Sequence, residues 1–103
     1  MTKEGTAMLK VWGKIWVRGR IRENLTVTDD HVDWPLEERL SACEEEIVSA
    51  LDLARPIWLE KNRKELANFG ATKFEQDNFI ESIPFQSLEL EIIGTDDDDE
   101  ENV

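Results

Sequence analysis

The chain has 103 residues and a formal charge of −12, from 12 basic and 24 acidic side chains. That length fits one small domain, and 40 % apolar with 35 % charged residues fits a globular chain without a run approaching a membrane span. One Cys and one His exclude an intramolecular disulfide framework and every zinc-finger spacing. MTKEGTAMLK lacks the long apolar run of a secretory leader, so the expected compartment is the cytoplasm.

The charge is unevenly placed. Residues 1–28 carry six basic and two acidic side chains, residues 29–95 carry six and sixteen, and residues 96–103 carry six acids and no base. A block of like charge with nothing apolar to bury reads as a disordered acidic tail over 95–103. Residues 1–7 read as a flexible extension, which leaves 8–94 as a single domain.

In chain order, Leu9, Val11, Gly13 and Ile15 alternate with Lys10, Trp12, Lys14 and Trp16, the period-two pattern of a strand. A second alternation places Ile21, Glu23, Leu25 and Val27 opposite in phase to Arg20, Arg22, Asn24, Thr26 and Thr28. The two predict a hairpin. A two-residue loop at Arg18-Gly19 mixes the faces, whereas a three-residue loop Val17-Arg18-Gly19 with Gly19 left-handed pairs odd with odd. Asp33 or Trp34 then caps a helix with Pro35, Glu37 and Glu38 in its first turn. Its apolar stripe is Leu36, Leu40, Cys43, Ile47, Leu51 and Ala54, and Arg55-Pro56 ends it.

Residues 57–69 form a second helical candidate with Leu59, Leu66 and Phe69 inward and Gly70 as its stop. Residues 71–86 read as an ordered connection packed by Phe74, Phe79 and Phe85, and Ser87 to Ile93 alternates as a third strand. The predicted fold is a small two-layer α+β domain, ββααβ, with both helices on one face of a three-stranded sheet. Its apolar face combines Leu9, Val11, Ile15, Ile21, Leu25, Val27, Leu88, Leu90 and Ile92. Pairing of the last strand with the first is preferred, although pairing with the second stays open.

The stretches Val11 to Ile15, Pro56-Ile57-Trp58-Leu59 with Lys61-Asn62, and Asp77-Asn78-Phe79-Ile80-Glu81 resemble a group of short uncharacterised proteins from anaerobic Gram-positive bacteria. The similarity spans most of residues 8–93 and implies no catalytic residue. The Arg-rich hairpin end and the DDDDEE tail depart from that pattern.

The other face of the hairpin carries the chemistry of most interest: Trp12, Lys14, Trp16, Arg20 and Arg22, with Lys10 at one end and Arg18 at the tip. Such a surface can bind a protein partner or a second copy of the chain. It can also track phosphates and stack bases as a single-stranded nucleic-acid binder, a reading the overall charge disfavours. Against both stands local neutralisation, with Glu89 and Glu91 pairing Lys10 and Lys14 across strands and indoles lying under cations. A separate reading takes the helix face of Glu37, Glu38, Glu44 and Glu45 as a nucleic-acid mimic that inhibits a basic protein.

No enzyme is expected. His31 sits alone in a polar turn, Cys43 lies on the apolar stripe, and phosphate loops, dinucleotide fingerprints and metal-ligand spacings are missing from the sequence, so no cofactor is implied.

Overall fold

The computed structural model describes residues 8–94, so the expected extension at 1–7 and the expected acidic tail at 95–103 lie outside the described residues. Strands β1 (Leu9–Val17) and β2 (Arg20–Asp29) form the hairpin, followed by helices α1 (Leu36–Ala50) and α2 (Glu60–Phe69) and strands β3 (Ala71–Phe74) and β4 (Ser87–Gly94). The sheet is antiparallel with order β2-β1-β4-β3. The α+β class is as expected, but the sheet has four strands rather than three. The additional strand is β3, four residues long, a length too short for period-two alternation to stand out from the surrounding turn formers.

Strand β1 is central, paired to β2 on one side and to β4 on the other. Its odd positions Leu9, Val11 and Ile15 are buried with Leu88 and Leu90 of β4 and Phe74 of β3. Both helices cover that face. Ile47 of α1 packs over Gly13, and Asn62 of α2 bonds Thr72, which pairs with Leu90 on the same side. The opposite face of the sheet carries Trp12, Lys14 and Trp16, with Glu89 and Glu91 alongside.

The hairpin achieves odd-with-odd pairing by a different device from the expected loop. Arg18 (φ 55°) and Gly19 (φ 78°) form a two-residue turn with two left-handed residues, which matches strand twist. The extra residue is Arg22, a bulge in β2, since Ile15 faces Glu23 while Trp16 faces Ile21. From Leu9 opposite Asp29 to Ile15 opposite Glu23 the faces match; beyond the bulge the phase inverts. Ile21 is therefore removed from the core and opposes Trp16 on the outer face, 39 % exposed. Arg20 opposes Val17, on the helix-covered side.

Helix α1 differs from expectation at both ends. Pro35 is its N-cap, and the Pro35 carbonyl accepts from the amides of Glu38 and Arg39 at 3.0 and 3.1 Å. Trp34 instead stacks on His31, ring centroids 3.7 Å apart. The helix stops at Ala50, before Arg55-Pro56, because Asp52 turns left-handed (φ 61°). The Leu53 amide then donates to Val48 O and the Asp52 amide to Ser49 O, a Schellman closure built on Asp in place of Gly. Phe69 ends α2 at 78 % exposure rather than facing the core, and Gly70 stops the helix in the left-handed conformation as expected.

Gly13 is required by close approach. A Cβ there would lie 2.7 Å from Ile47 Cγ2, so α1 rests directly on the β1 backbone. Gly13→Ala is expected to cost about 1–3 kcal/mol in urea unfolding by forcing α1 outward. Combined with Ile47→Ala, the two losses should fall short of their sum, because each relieves the clash or gap left by the other.

Candidate functional site

Two regions of the molecule gather functional chemistry, the outer sheet face and a cleft beside α1. On the sheet face, Lys14 is 6 % exposed and donates to Glu91 Oε1 at 2.7 Å, with Glu89 Oε1 at 3.5 Å. The Trp16 indole N–H donates to Glu89 Oε1 at 2.8 Å and that of Trp12 to Asn24 Oδ1 at 3.2 Å. Lys14 Nζ lies 3.9 Å from the Trp12 ring centroid and Lys73 Nζ 5.1 Å from that of Trp16. Cross-strand spacing makes this ladder possible, since opposed and diagonal positions on one face lie within reach of long side chains. Lys14 is thus engaged by two carboxylates, and the glutamates act on Lys14 and Trp16.

The six residues predicted for partner binding are not collected on one surface. Trp12, Lys14 and Trp16 share the outer face, Arg18 occupies the turn, Arg22 is the bulge, and Arg20 opposes Val17 on the other side. Ile21 joins Trp16 instead. Arg18, Arg20 and Arg22 are exposed and make no ion pair with any described residue.

The predicted acidic face of α1 loses a member. Glu37, Glu38 and Glu45 are exposed, but Glu44 is 0 % exposed. Its Oε1 accepts from Arg55 Nη2 at 3.1 Å and from the Trp58 indole at 3.2 Å. The reason is helical phase: Leu40, Glu44 and Val48 form an i, i+4, i+8 row, so the glutamate is carried inward between two apolar neighbours. That spacing is visible in the sequence, but a carboxylate within an apolar row reads from sequence as a solvated side chain. Arg55 also donates to Ser41 Oγ at 3.2 Å, which straps residues 51–59 along α1. Glu44 Oε2 is buried with no hydrogen-bond partner. Glu44 lines a cleft of about 470 Å³ whose walls include Leu40, Trp58, Leu66 and Ile92.

Trp58 and its neighbour Asn62 are positioned by a buried amide network. Asn62 Oδ1 accepts from the Leu59 amide at 3.0 Å and from Asn78 Nδ2 at 2.8 Å. Asn62 Nδ2 donates to Thr72 Oγ1 at 2.9 Å and Lys73 O at 3.1 Å. Asn78 Oδ1 accepts from the Glu75 amide at 2.9 Å, and Asn78 Nδ2 also donates to Ile57 O at 2.7 Å. Each asparagine reaches back three residues to a backbone N–H at the start of a helical turn and then across to the other. Trp58 packs edge-on against Phe74 with centroids 4.9 Å apart.

Cys43 is buried on α1, and burial pushes its thiol up to about 11, so it is a packed apolar group at neutral pH. Among the described residues no group of three or more His, Cys, Asp or Glu could hold a metal ion. No helix among them is long and apolar enough to cross a membrane. Comparison with family models, with curated proteins and with solved structures gives no match.

Asp29, the last residue of β2, is buried. Burial works to raise its carboxyl pKa, but hydrogen bonds to His31 (Nδ1, 2.6 Å) and Arg39 (Nε, 2.7 Å) outweigh it and hold the group below the usual carboxylate range. Its contribution to stability is therefore complete above the ordinary carboxylate pKa of about 4 and is lost as pH falls through the depressed folded value. Asp29→Asn should be less stable than the parent at neutral pH, with the difference closing on acidification; a gap that ignores pH in urea unfolding would contradict this. Asn78→Ala strands the Ile57 carbonyl and the Glu75 amide and should cost about 2–4 kcal/mol in the same measurement.

Proposed function

We propose that the chain is a cytoplasmic, non-enzymatic protein-interaction module that engages an acidic protein surface with the hairpin end of its sheet. The observation that carries this reading is the opposed pair Trp16 and Ile21 on the face that neither helix covers. Arg18 and Arg22 flank that pair along the chain, and they and Arg20 spend no charge on the described part of the molecule. A partly exposed apolar centre flanked by cations is the composition of a docking site, with indole and guanidinium the groups that contribute most per residue at interfaces.

The remaining charge on this face is consumed internally. Lys14 is held by Glu89 and Glu91, and Lys14 and Lys73 lie over the rings of Trp12 and Trp16, which occupies indole faces that bases would stack on and favours protein over single-stranded nucleic acid. Mimicry of nucleic acid by α1 is weakened by withdrawal of Glu44 from its acidic row. A second copy of the chain is an acidic partner in its own right, because α1 exposes Glu37, Glu38 and Glu45. Catalysis has little to draw on, with Cys43 buried and His31 bound to Asp29 and stacked on Trp34.

Capture from the source cell with and without nuclease, sedimentation of the pure chain over a concentration series, and titration of the purified partner test this reading. Ile21→Ser/Arg22→Glu should leave the urea midpoint unchanged while weakening a nuclease-resistant protein complex, or the homodimer, by about tenfold or more. Equal binding by the double variant, or a complex that disappears with nuclease, would overturn it.

A further inference from the structure

We propose that the acidic residues 96–101 of one copy of the chain dock on the arginines at the hairpin end of a second copy. This rests on the reading of that end as a dock for an acidic protein surface, and it names the surface. Arg18, Arg20 and Arg22 fall within five residues, are exposed, and make no ion pair with any described residue. Guanidiniums grouped in this way recognise acidic motifs through charge-assisted hydrogen bonds. Residues 96–101, Asp-Asp-Asp-Asp-Glu-Glu, are the densest run of carboxylates in the chain, six in succession with no base among them. Helix α1 is a poorer match, because Glu44 is buried and Glu37 and Glu38 sit in the first turn, against the positive end of the helix dipole.

Strand register separates the two partners within one copy. Gly94, which leads into residues 95–103, pairs with Lys10, whereas Arg20 pairs with Val17 beside the turn. Lys10 and Val17 are seven residues apart on β1, roughly 23 Å at the strand rise of about 3.3 Å. The backbone of Asp99, five residues past Gly94, reaches at most about 18 Å on a taut path. Only the last glutamates come near the turn of their own copy, whereas a second copy meets no such limit. The net charge of −12 opposes the approach of two copies, but screening confines that repulsion to about 8–10 Å at physiological salt, well below the length of the sheet. At contact the local charges decide, three guanidiniums against six carboxylates. When each copy gives its acidic segment and receives the other's, the second contact forms intramolecularly, which offsets the small worth of single exposed ion pairs.

The decisive variant is the full-length chain with Asp96→Asn, Asp97→Asn, Asp98→Asn, Asp99→Asn, Glu100→Gln and Glu101→Gln. In sedimentation equilibrium at about 50 mM salt, the mass of the parent should rise with concentration while this neutral variant stays monomeric. The sign is diagnostic, since the variant carries half the net charge and repulsion alone predicts that it associates more. A synthetic peptide of residues 95–103, titrated into the neutral variant, should give saturable amide shifts centred on residues 18–22, with affinity falling about fivefold or more at about 300 mM salt. The peptide carrying the same six substitutions should give none. Arg20→Ser/Arg22→Ser, placed in the neutral variant, should weaken peptide binding by about fivefold or more at an unchanged urea midpoint. Should that form fail to fold, the neutral variant decides alone, because it alters no described residue. A monomeric parent, equal association of the neutral variant, shifts reproduced by the neutral peptide, or peptide binding that survives loss of both arginines in the folded protein would overturn the proposal. A monomeric parent that still captures a nuclease-resistant protein, sensitive to Ile21→Ser/Arg22→Glu, would overturn it and leave the docking reading standing.

Discussion

The hydrogen bond between Asn62 and Asn78 is the constraint on which the second half of the molecule depends. It joins two amide side chains that are both fully buried, and every donor and acceptor on Asn62 is used. Buried amides are tolerable only on that condition, since a single unmet group costs about 1–3 kcal/mol. Satisfaction here requires four pieces of chain to be correct together: residues 57–59, the first turn of α2, β3 with Thr72 and the Lys73 carbonyl, and the short turn Gln76–Asn78. Apolar packing alone would let these slide, because α2 is polar and has only Leu66 and neighbouring Trp58 against the core. The network thus substitutes direction for buried area in a domain with little area to spare.

From that anchor the position of Glu44 follows. Residues 51–59 leave α1 through the Asp52 closure and return along its flank, which brings Arg55 and Trp58 onto the Glu44 carboxylate. The two helices do not close on each other. Between them lies the cleft that exposes Leu36 and Ala67 at its rim and keeps Leu40 and Glu44 at its floor. The first half of the chain is organised differently, around Gly13 and Ile47 on one face and the Lys14 ladder on the other. The total charge of −12 therefore describes neither surface: the sheet face is close to self-neutralised, and the hairpin end is locally basic.

Much of the fold was legible because periodicity reports burial directly. Strands β1, β2 and β4, the core helix α1 and the Gly70 stop follow from apolar spacing and turn chemistry. The odd-with-odd register of the hairpin was also legible, since mismatched faces would expose its apolar set. Its mechanism was not, because a bulge at Arg22 and a bulge at the turn satisfy the same constraint and differ only in the fate of Ile21. Likewise, a left-handed Asp52 inside an apparently continuous apolar stripe carries no Gly or Pro to announce it. Of the candidate sites, the indoles and arginines of the hairpin were legible by type, whereas their division between two faces was not.

The sequence by itself determined the class, most of the apolar face and the segregation of charge, because each depends on patterns within one segment. The pairing that makes β1 central is preferred by those patterns and left open until the structure shows it. Only the tertiary structure decided which charges remain available. Whether Lys14, Glu44 or Asn62 is spent or free depends on partners 11 to 77 residues away, brought close by the sheet and the return of residues 51–59. A charged residue in an apolar row is ambiguous until its partner is known, since the same Glu44 is a solvated side chain without Arg55 and Trp58 and a buried anchor with them.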